Sequence, residues 1–303
     1  MIPIKYFCED DVQQEKEIKD KFCEINLKGR KRLSDLDSWC KRHLPQKDDG
    51  TRYTFRDVVV ASPQTLVSLK RHLDSLPDKE QITDELYTIS NGKRTSCYII
   101  DNLYTHMEKE AKRFLIDSLD IKVCPYCNRN YVYSYRSGHT CQLDHFFNKA
   151  DYPIFAASFY NLIPVCGVCN HKKKTAEFEF YPHLGDYRDT LRFTYMIKDV
   201  DFIKNKDHLE IDIIDEKGLF EKQLESLALK DIYQGHKDIV VDIAKKHKLF
   251  SRAHIEALSK EFVGFVTPDE VRQLIYGVPL SEDEVGNRPL SKLTQDLLEE
   301  MDG

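Results

Sequence analysis

Apolar positions recur every three or four residues over most of the first 120 residues and again from Leu219 onward; between these stretches the pattern is shorter and often alternates at period two. Val12, Glu15, Ile18, Lys19, Phe22 and Ile25 fall on one helical stripe with charged flanks. Ser62-Pro63 before Leu66, Val67 and Leu69 predicts a capped helix start, because a serine oxygen accepts a first-turn N–H and proline presets φ. Residues 46–52 and 76–83 are polar and predict loops. Leu103, Met107, Ala111, Phe114, Leu115 and Leu119 predict one long helix over Asp101 to Leu119. Asn130 to Tyr135 reads as β-type, Ser137-Gly138 as a turn and Thr140 to His145 as a second strand, together a hairpin. Asp151 to Tyr160 predicts a connection with a short helix, and Cys169 to Thr175 the opening of another helix. Leu191, Phe193, Tyr195 and Ile197 alternate with polar neighbours, as do Leu209, Ile211 and Ile213, which predicts a half-buried hairpin. Thr267-Pro268-Asp269-Glu270 is a capping box with Gly277 as its stop, and Ser281 to Glu284 is a second box. The expected organisation is α+β in three segments: a mainly helical 1–120, a mixed module over 121–187, and a β-hairpin plus helices over 188–303.

Composition narrows the reading. The 303 residues are 41% hydrophobic and 32% charged, enough to bury a core beneath a solvated surface. Twelve Gly and eleven Pro, without tracts, argue against low complexity. No apolar run approaches the ~18 residues needed to cross a bilayer. Met1 to Lys5 runs into Glu9-Asp10-Asp11, unlike a signal peptide, so a cytoplasmic protein is expected. The net charge is −6, so binding to nucleic acid requires a local basic patch or a partner. The segment 121–190 supplies one, with eight Lys or Arg against six Asp or Glu.

The nine cysteines divide into two groups. Cys8, Cys23, Cys40, Cys97 and Cys141 are scattered and read as buried thiols, since an odd number in a reducing compartment is not a disulfide framework. Cys124-Pro125-Tyr126-Cys127 and Cys166-Gly167-Val168-Cys169 are paired C-x-x-C turns. Each turn offers two thiolates to one tetrahedral ion, so together they predict a closed, structural zinc site. A redox dithiol explains one pair but not two. The 38 residues between the pairs leave room for an inserted unit.

That insert carries Gln142-Leu143-Asp144-His145-Phe146-Phe147, then Asn161-Leu162-Ile163-Pro164, and its end continues into Cys169-Asn170-His171-Lys172-Lys173-Lys174. Hydrolysis of a phosphodiester needs a base for water and a counter-charge for the phosphate and leaving oxygen. His145 is the candidate base, with an unperturbed pKa of ~6.5. Asp144 and Asn170 offer hard oxygens suited to Mg²⁺ or Mn²⁺. Asn161 is a candidate to fix the loop carrying His145, by amide hydrogen bonds to backbone. Lys172, Lys173 and Lys174 are candidate phosphate contacts. His171 and His183 are further candidates for ligand or phosphate contact; the bland reading of His183 is a capping or solvated histidine.

In order, C-x-x-C, Asp-His, Asn-Leu-Ile-Pro, C-x-x-C-Asn and lysines resemble the HNH endonuclease family over residues 124–174. The resemblance implies a ββα-metal module, flanked here by helical regions and a later hairpin. It also implies His145 as general base, Asn161 as the middle motif residue, and Asp144 with Asn170 as ligands of a catalytic divalent ion. Asn170 stands where other members carry histidine. More loosely, the frame is similar to HNH effectors of bacterial anti-phage systems of Septu or retron-linked type, which implies DNA as substrate and a partner ATPase. The competing readings are a zinc-knuckle nucleic-acid-binding module without catalysis, which leaves Asp144-His145 unexplained, and a subunit of a larger complex.

Overall fold

The computed structural model describes Ile4 and residues 12–107, 109–184, 191–261, 265–279 and 284–302. The chain is α+β, with helices around two-stranded antiparallel sheets. Its first part is α1 (Val12–Leu27), α2 (Leu33–His43), α3 (Phe55–Val59), α4 (Pro63–Ser75), α5 (Lys79–Asp84), a hairpin of β1 (Tyr87–Ser90) and β2 (Lys93–Cys97), a π-helix over Ile99–Thr105, and α6 (Lys109–Ser118). On the α1 stripe Phe22 is buried and Ile18 and Ile25 pack against the core. Ser62 caps α4 by accepting from Thr65 N, with Pro63 in the first turn. Two expectations change here. Residues 76–83 are not all loop: α5 forms because Ile82 and Thr83 find a buried seat, with Trp39 Nε1 donating to Ile82 O at 3.1 Å. The expected long helix over Asp101–Leu119 is broken between the π-helix and α6. Its apolar face is nonetheless buried at Leu103, Met107, Ala111 and Leu115.

The middle segment contains β3 (Ser134–Tyr135), β4 (Gly138–His139), β5 (Gln142–His145), a 3-10 turn over Pro153–Phe155, β6 (Leu162–Val165) and α7 (Gly167–Lys173). The expected pairing of 130–135 with 140–145 does not form as one hairpin. β3 pairs β4 across a tight turn, whereas β5 pairs β6, with Asp144 opposite Ile163 and His145 opposite Leu162. All four β6 residues are buried, so no alternation marked them as a strand. α7 then packs on β5, giving two antiparallel strands and a helix with a long connection between the strands.

The last part begins with β7 (Leu191–Ile197) and β8 (Leu209–Asp215), paired in register from Leu191–Asp215 to Ile197–Leu209 as the alternation predicts. α8 (Glu221–Ser226), α9 (Leu229–Tyr233), α10 (Lys237–Leu249), α11 (Arg252–Glu261), α12 (Pro268–Tyr276) and α13 (Ser291–Asp302) follow. The Thr267–Glu270 box closes reciprocally and Gly277 caps α12 in the left-handed region at φ 75°. The box expected to open at Ser281 lies outside the described residues. No helix among the described residues is long and apolar enough to cross a membrane.

One continuous core runs through all three segments. From the N-terminal side, Val59 O accepts from Phe159 N at 2.8 Å, Val58 O accepts from Ser158 Oγ at 2.9 Å, and the Phe22 and Phe159 rings meet at 5.1 Å. From the C-terminal side, the Asn128 amide donates to Val285 O at 3.1 Å and accepts from Lys292 N at 3.0 Å. Both flanks therefore hold the middle segment in place.

Candidate metal centre and catalytic site

The first C-x-x-C turn is closed by Asn128 N donating to Cys124 O at 2.8 Å, with Asn128 in the left-handed region at φ 49°. The second supplies the N-cap and first turn of α7, so Cys169 and Asn170 have helical geometry. The sulfurs of Cys124, Cys127, Cys166 and Cys169 are all buried and lie within 4.8 Å of one another. Cys127 and Cys166 Sγ stand 3.9 Å apart, close to the ~3.8 Å edge that a tetrahedral ion with ~2.3 Å bonds to sulfur sets. The donor set thus fits a zinc ion. Asn130 Nδ2 donates to Cys166 Sγ at 3.4 Å, the kind of second contact that orients a thiolate ligand. Hydrogen bonding among the crowded thiols, led by Cys124, pushes Cys127 and Cys166 below the usual thiol range and Cys169 above it. Burial pushes Cys124 itself up. Cys23, Cys40, Cys97 and Cys141 are buried free thiols, and Cys8 lies outside the described residues.

Strand alternation sends Asp144 and His145 to opposite sides of β5. Asp144 faces α7 and is 4% exposed. Its Oδ2 accepts from the Tyr126 hydroxyl at 2.6 Å. The Lys173 ammonium lies 3.2 Å from Oδ1 and 3.1 Å from Oδ2, and donates to His145 O at 3.0 Å. Burial raises the Asp144 pKa, opposed by the Lys173 charge and the bonds from Tyr126 and Lys173. Asn170, one turn before Lys173 on the same helix face, donates to Gln142 Oε1 at 2.6 Å. Two residues of α7 therefore sit over two same-side residues of β5. In chemistry, Asp144 and Asn170 suit a divalent ion, and a cation does stand at the carboxylate. That cation is Lys173, so a divalent ion at Asp144 must compete with a resident ammonium.

His145 is 8% exposed and its ring meets that of Tyr104 edge-on at 4.2 Å. Its Nε2 lies 3.0 Å from Ala156 O. A carbonyl only accepts, so Nε2 carries the proton and Nδ1 keeps the lone pair. Burial, then the charges of Lys149 and Lys173, lower its pKa to about 3, so the imidazole is neutral near pH 7. Asn161 is fully buried: its Oδ1 accepts from Phe147 N at 2.7 Å, and its Nδ2 donates to Phe147 O at 3.2 Å and Phe155 O at 3.0 Å. It pins the segment leaving His145 to the turn that carries Ala156.

The structure thus brings Asp144 and Lys173 together on the α7 side of β5, with Asn170 on the same helix face, while the His145 ring lies on the other side of the strand, next to the segment that Asn161 pins; the expected convergence of His145 with Asp144 and Asn170 on one point is not seen. His171 and Lys172 on α7 and Lys174 at its C-cap are exposed, but Lys173 is interior and serves Asp144 rather than solvent. His183 is not a member of any ligand cluster among the described residues: it is buried between the rings of Tyr160 and Tyr181, at 5.0 and 5.5 Å, with neither ring nitrogen hydrogen-bonded. Three residues escaped the sequence reading. Tyr126 sat inside a C-x-x-C as spacing. Tyr104 sat on a helix face. Lys149, over the Tyr104 ring at 4.7 Å, is the sole basic residue between His145 and Asn161, which was its signal.

Comparison with protein-family models, curated proteins and solved structures finds no match for this chain.

Proposed function

We propose that the chain is a metal-dependent endonuclease of HNH type that hydrolyses phosphodiester bonds in DNA. The observation that carries this reading is His145: an imidazole whose Nε2–H is committed to Ala156 O, leaving Nδ1 its lone pair, on a strand pair followed by a helix and a four-thiolate cluster. In this reading Nδ1 takes the proton of the attacking water. The Nε2–H bond keeps the ring oriented and stabilises the imidazolium that results. Asn161 prevents the ring's supporting turn from drifting. Lys149 is placed to attract the phosphate. A divalent ion, Mg²⁺ or Mn²⁺, held by Asp144 and Asn170 would supply charge neutralisation at the phosphate and leaving oxygen. The four-cysteine zinc is structural. The looser resemblance supports a role as an anti-phage effector beside a partner ATPase, and the acidic net charge of −6 agrees with recruitment to DNA by a partner.

A plasmid-nicking assay with Mg²⁺ or Mn²⁺ tests the reading, with and without candidate partners. Wild type is expected to nick and His145→Ala to lose roughly 10²–10⁴-fold in rate with unchanged zinc content and melting. Equal cutting by His145→Ala, or no cutting by wild type under any of these conditions, refutes it. The second outcome returns the chain to a non-catalytic nucleic-acid-binding role.

A further inference from the structure

Residues 131–135 form an extended segment with a two-residue alternation of unusual composition. Val132 is fully buried and Ser134 Oγ bonds Asp117, whereas Tyr131, Tyr133 and Tyr135 are 51%, 48% and 51% exposed on the other side. The segment is held extended by Val132 N donating to Lys122 O at 2.9 Å and by Thr140, whose Oγ1 accepts from Tyr133 N at 3.0 Å. Tyr131 and Tyr133 meet edge-on at 6.5 Å and 66° rather than stacking on each other. Tyr135 lies over Gly138, where an added Cβ would stand 2.8 Å from its hydroxyl oxygen. None of the three hydroxyls has a hydrogen-bond partner among the described residues. Core packing therefore does not account for three aromatic rings in a row.

Next to this stripe is a cleft of about 500 Å³ between α6 and the β3–β4 turn. Its lining includes Lys109, Lys112, Arg113 and Arg136 against one carboxylate, Glu110. None of these four cations forms a salt bridge among the described residues. In a chain of net charge −6, a cleft lined by four cations and one carboxylate beside three outward rings is a local reversal of charge.

We infer that the Tyr131–Tyr133–Tyr135 stripe and the adjoining cleft of Lys109, Lys112, Arg113 and Arg136 bind a single-stranded segment of nucleic acid. Unpaired bases have free π-faces to lay on the tyrosines, and their backbone phosphates find unpaired cations alongside. A duplex keeps its base faces stacked inside and has only phosphates to offer. An acidic peptide meets the charge but leaves the rings unused. The site is distinct from His145 and does not depend on hydrolysis.

The test is fluorescence anisotropy of the full chain with labelled oligothymidylate of about 20 nucleotides and a duplex of equal length, with divalent ions withheld. Single strand is expected to bind more tightly than duplex. Each of Tyr131→Ala, Tyr133→Ala and Tyr135→Ala should weaken it by roughly tenfold, and the matching Phe variants should restore it, since stacking needs the ring and not the hydroxyl. Arg113→Glu and Arg136→Glu should each lower the slope of log affinity against log salt by about 0.7. Nicking of plasmid by the same Tyr→Ala variants is read separately, so a failed nuclease and a failed binding surface are told apart. Melting curves confirm that these surface variants fold. The inference is overturned if wild type does not bind the single strand or prefers duplex, or if the Ala variants bind it undiminished. It is also overturned if the tyrosines prove necessary only for retaining a co-purifying protein.

Discussion

Asn161 shows how much one buried amide can settle. It completes three backbone hydrogen bonds, and at Phe147 N and Phe147 O no other described group is a partner. Asn161→Ala leaves Phe147 N and Phe147 O unsatisfied in the interior, while Phe155 O keeps its bond from Ser158 N, so a loss of about 3 kcal/mol in urea unfolding is expected. A loss within experimental error would mean that water takes over the amide's bonds. Lys173 is a sharper case. A buried carboxylate stripped of its ammonium keeps its desolvation cost without the attraction, so Lys173→Met should destabilise by about 3–5 kcal/mol near neutral pH. Adding Asp144→Asn to that variant should recover part of the loss. A double variant no more stable than Lys173→Met would show that the two side chains are not energetically coupled. Neither role was open to sequence reading in full. The amide's use as a loop clamp follows from residue type, but Lys173 sits in a run of three lysines, and only the phase of α7 decides which of them points inward.

At the scale of elements, the two C-x-x-C turns and α7 behave as one unit, because the second turn is the start of the helix. Tyr126 reaches from the first turn to Asp144, so the thiolate cluster and the carboxylate share a support. Cys124→Ser should therefore lower zinc content and melting temperature together, since structural zinc in small domains contributes ~10 kcal/mol or more of binding free energy. Metal analysis and a thermal melt check this, and an unchanged melt in a zinc-free variant would show that the cluster does not hold the fold. The spacing of the cysteines was legible from the chain. The pairing of β5 with β6 was not: the residues of β6 are buried on both sides, and a strand without alternation looks like any short apolar run. Residues 140–145 accordingly seemed to pair with their neighbours in sequence. The break before α6 was hidden for a related reason, since the π-helix and α6 keep their apolar residues on a common buried face.

For the molecule as a whole, two histidines buried in neutral form tie stability to pH. Burial lowers both His145 and His183 to about 3, against about 6.5 in the unfolded chain. Between these values the unfolded state binds more protons than the folded one, so stability is full above about pH 6.5 and falls as the pH drops toward 3. Each histidine contributes a slope of up to ~1.4 kcal/mol per pH unit in that window. Urea midpoints measured from pH 7 to 5 should fall steeply, and His183→Phe should remove about one proton from the linkage. A slope unaltered by that substitution would place a charged partner next to His183. The same core continuity makes the flanks part of the site's architecture: α3 and the π-helix support the His145 side, while Asn128 fastens the segment before α13 to the first C-x-x-C turn.

The sequence by itself determined what depends on residue type and short spacing: paired thiols that meet at one point, capped helix ends at Ser62 and Thr267, the β7–β8 alternation, and an Asp-His pair at a strand end. These are local, because turn chemistry and side-chain period act over a few residues. The tertiary structure alone decided which strand β5 joins, which lysine of three is buried against Asp144, and which ring nitrogen of His145 keeps its lone pair. Each of those depends on a group far along the chain or on the other side of a helix, where packing and burial choose among options that local preference leaves equal.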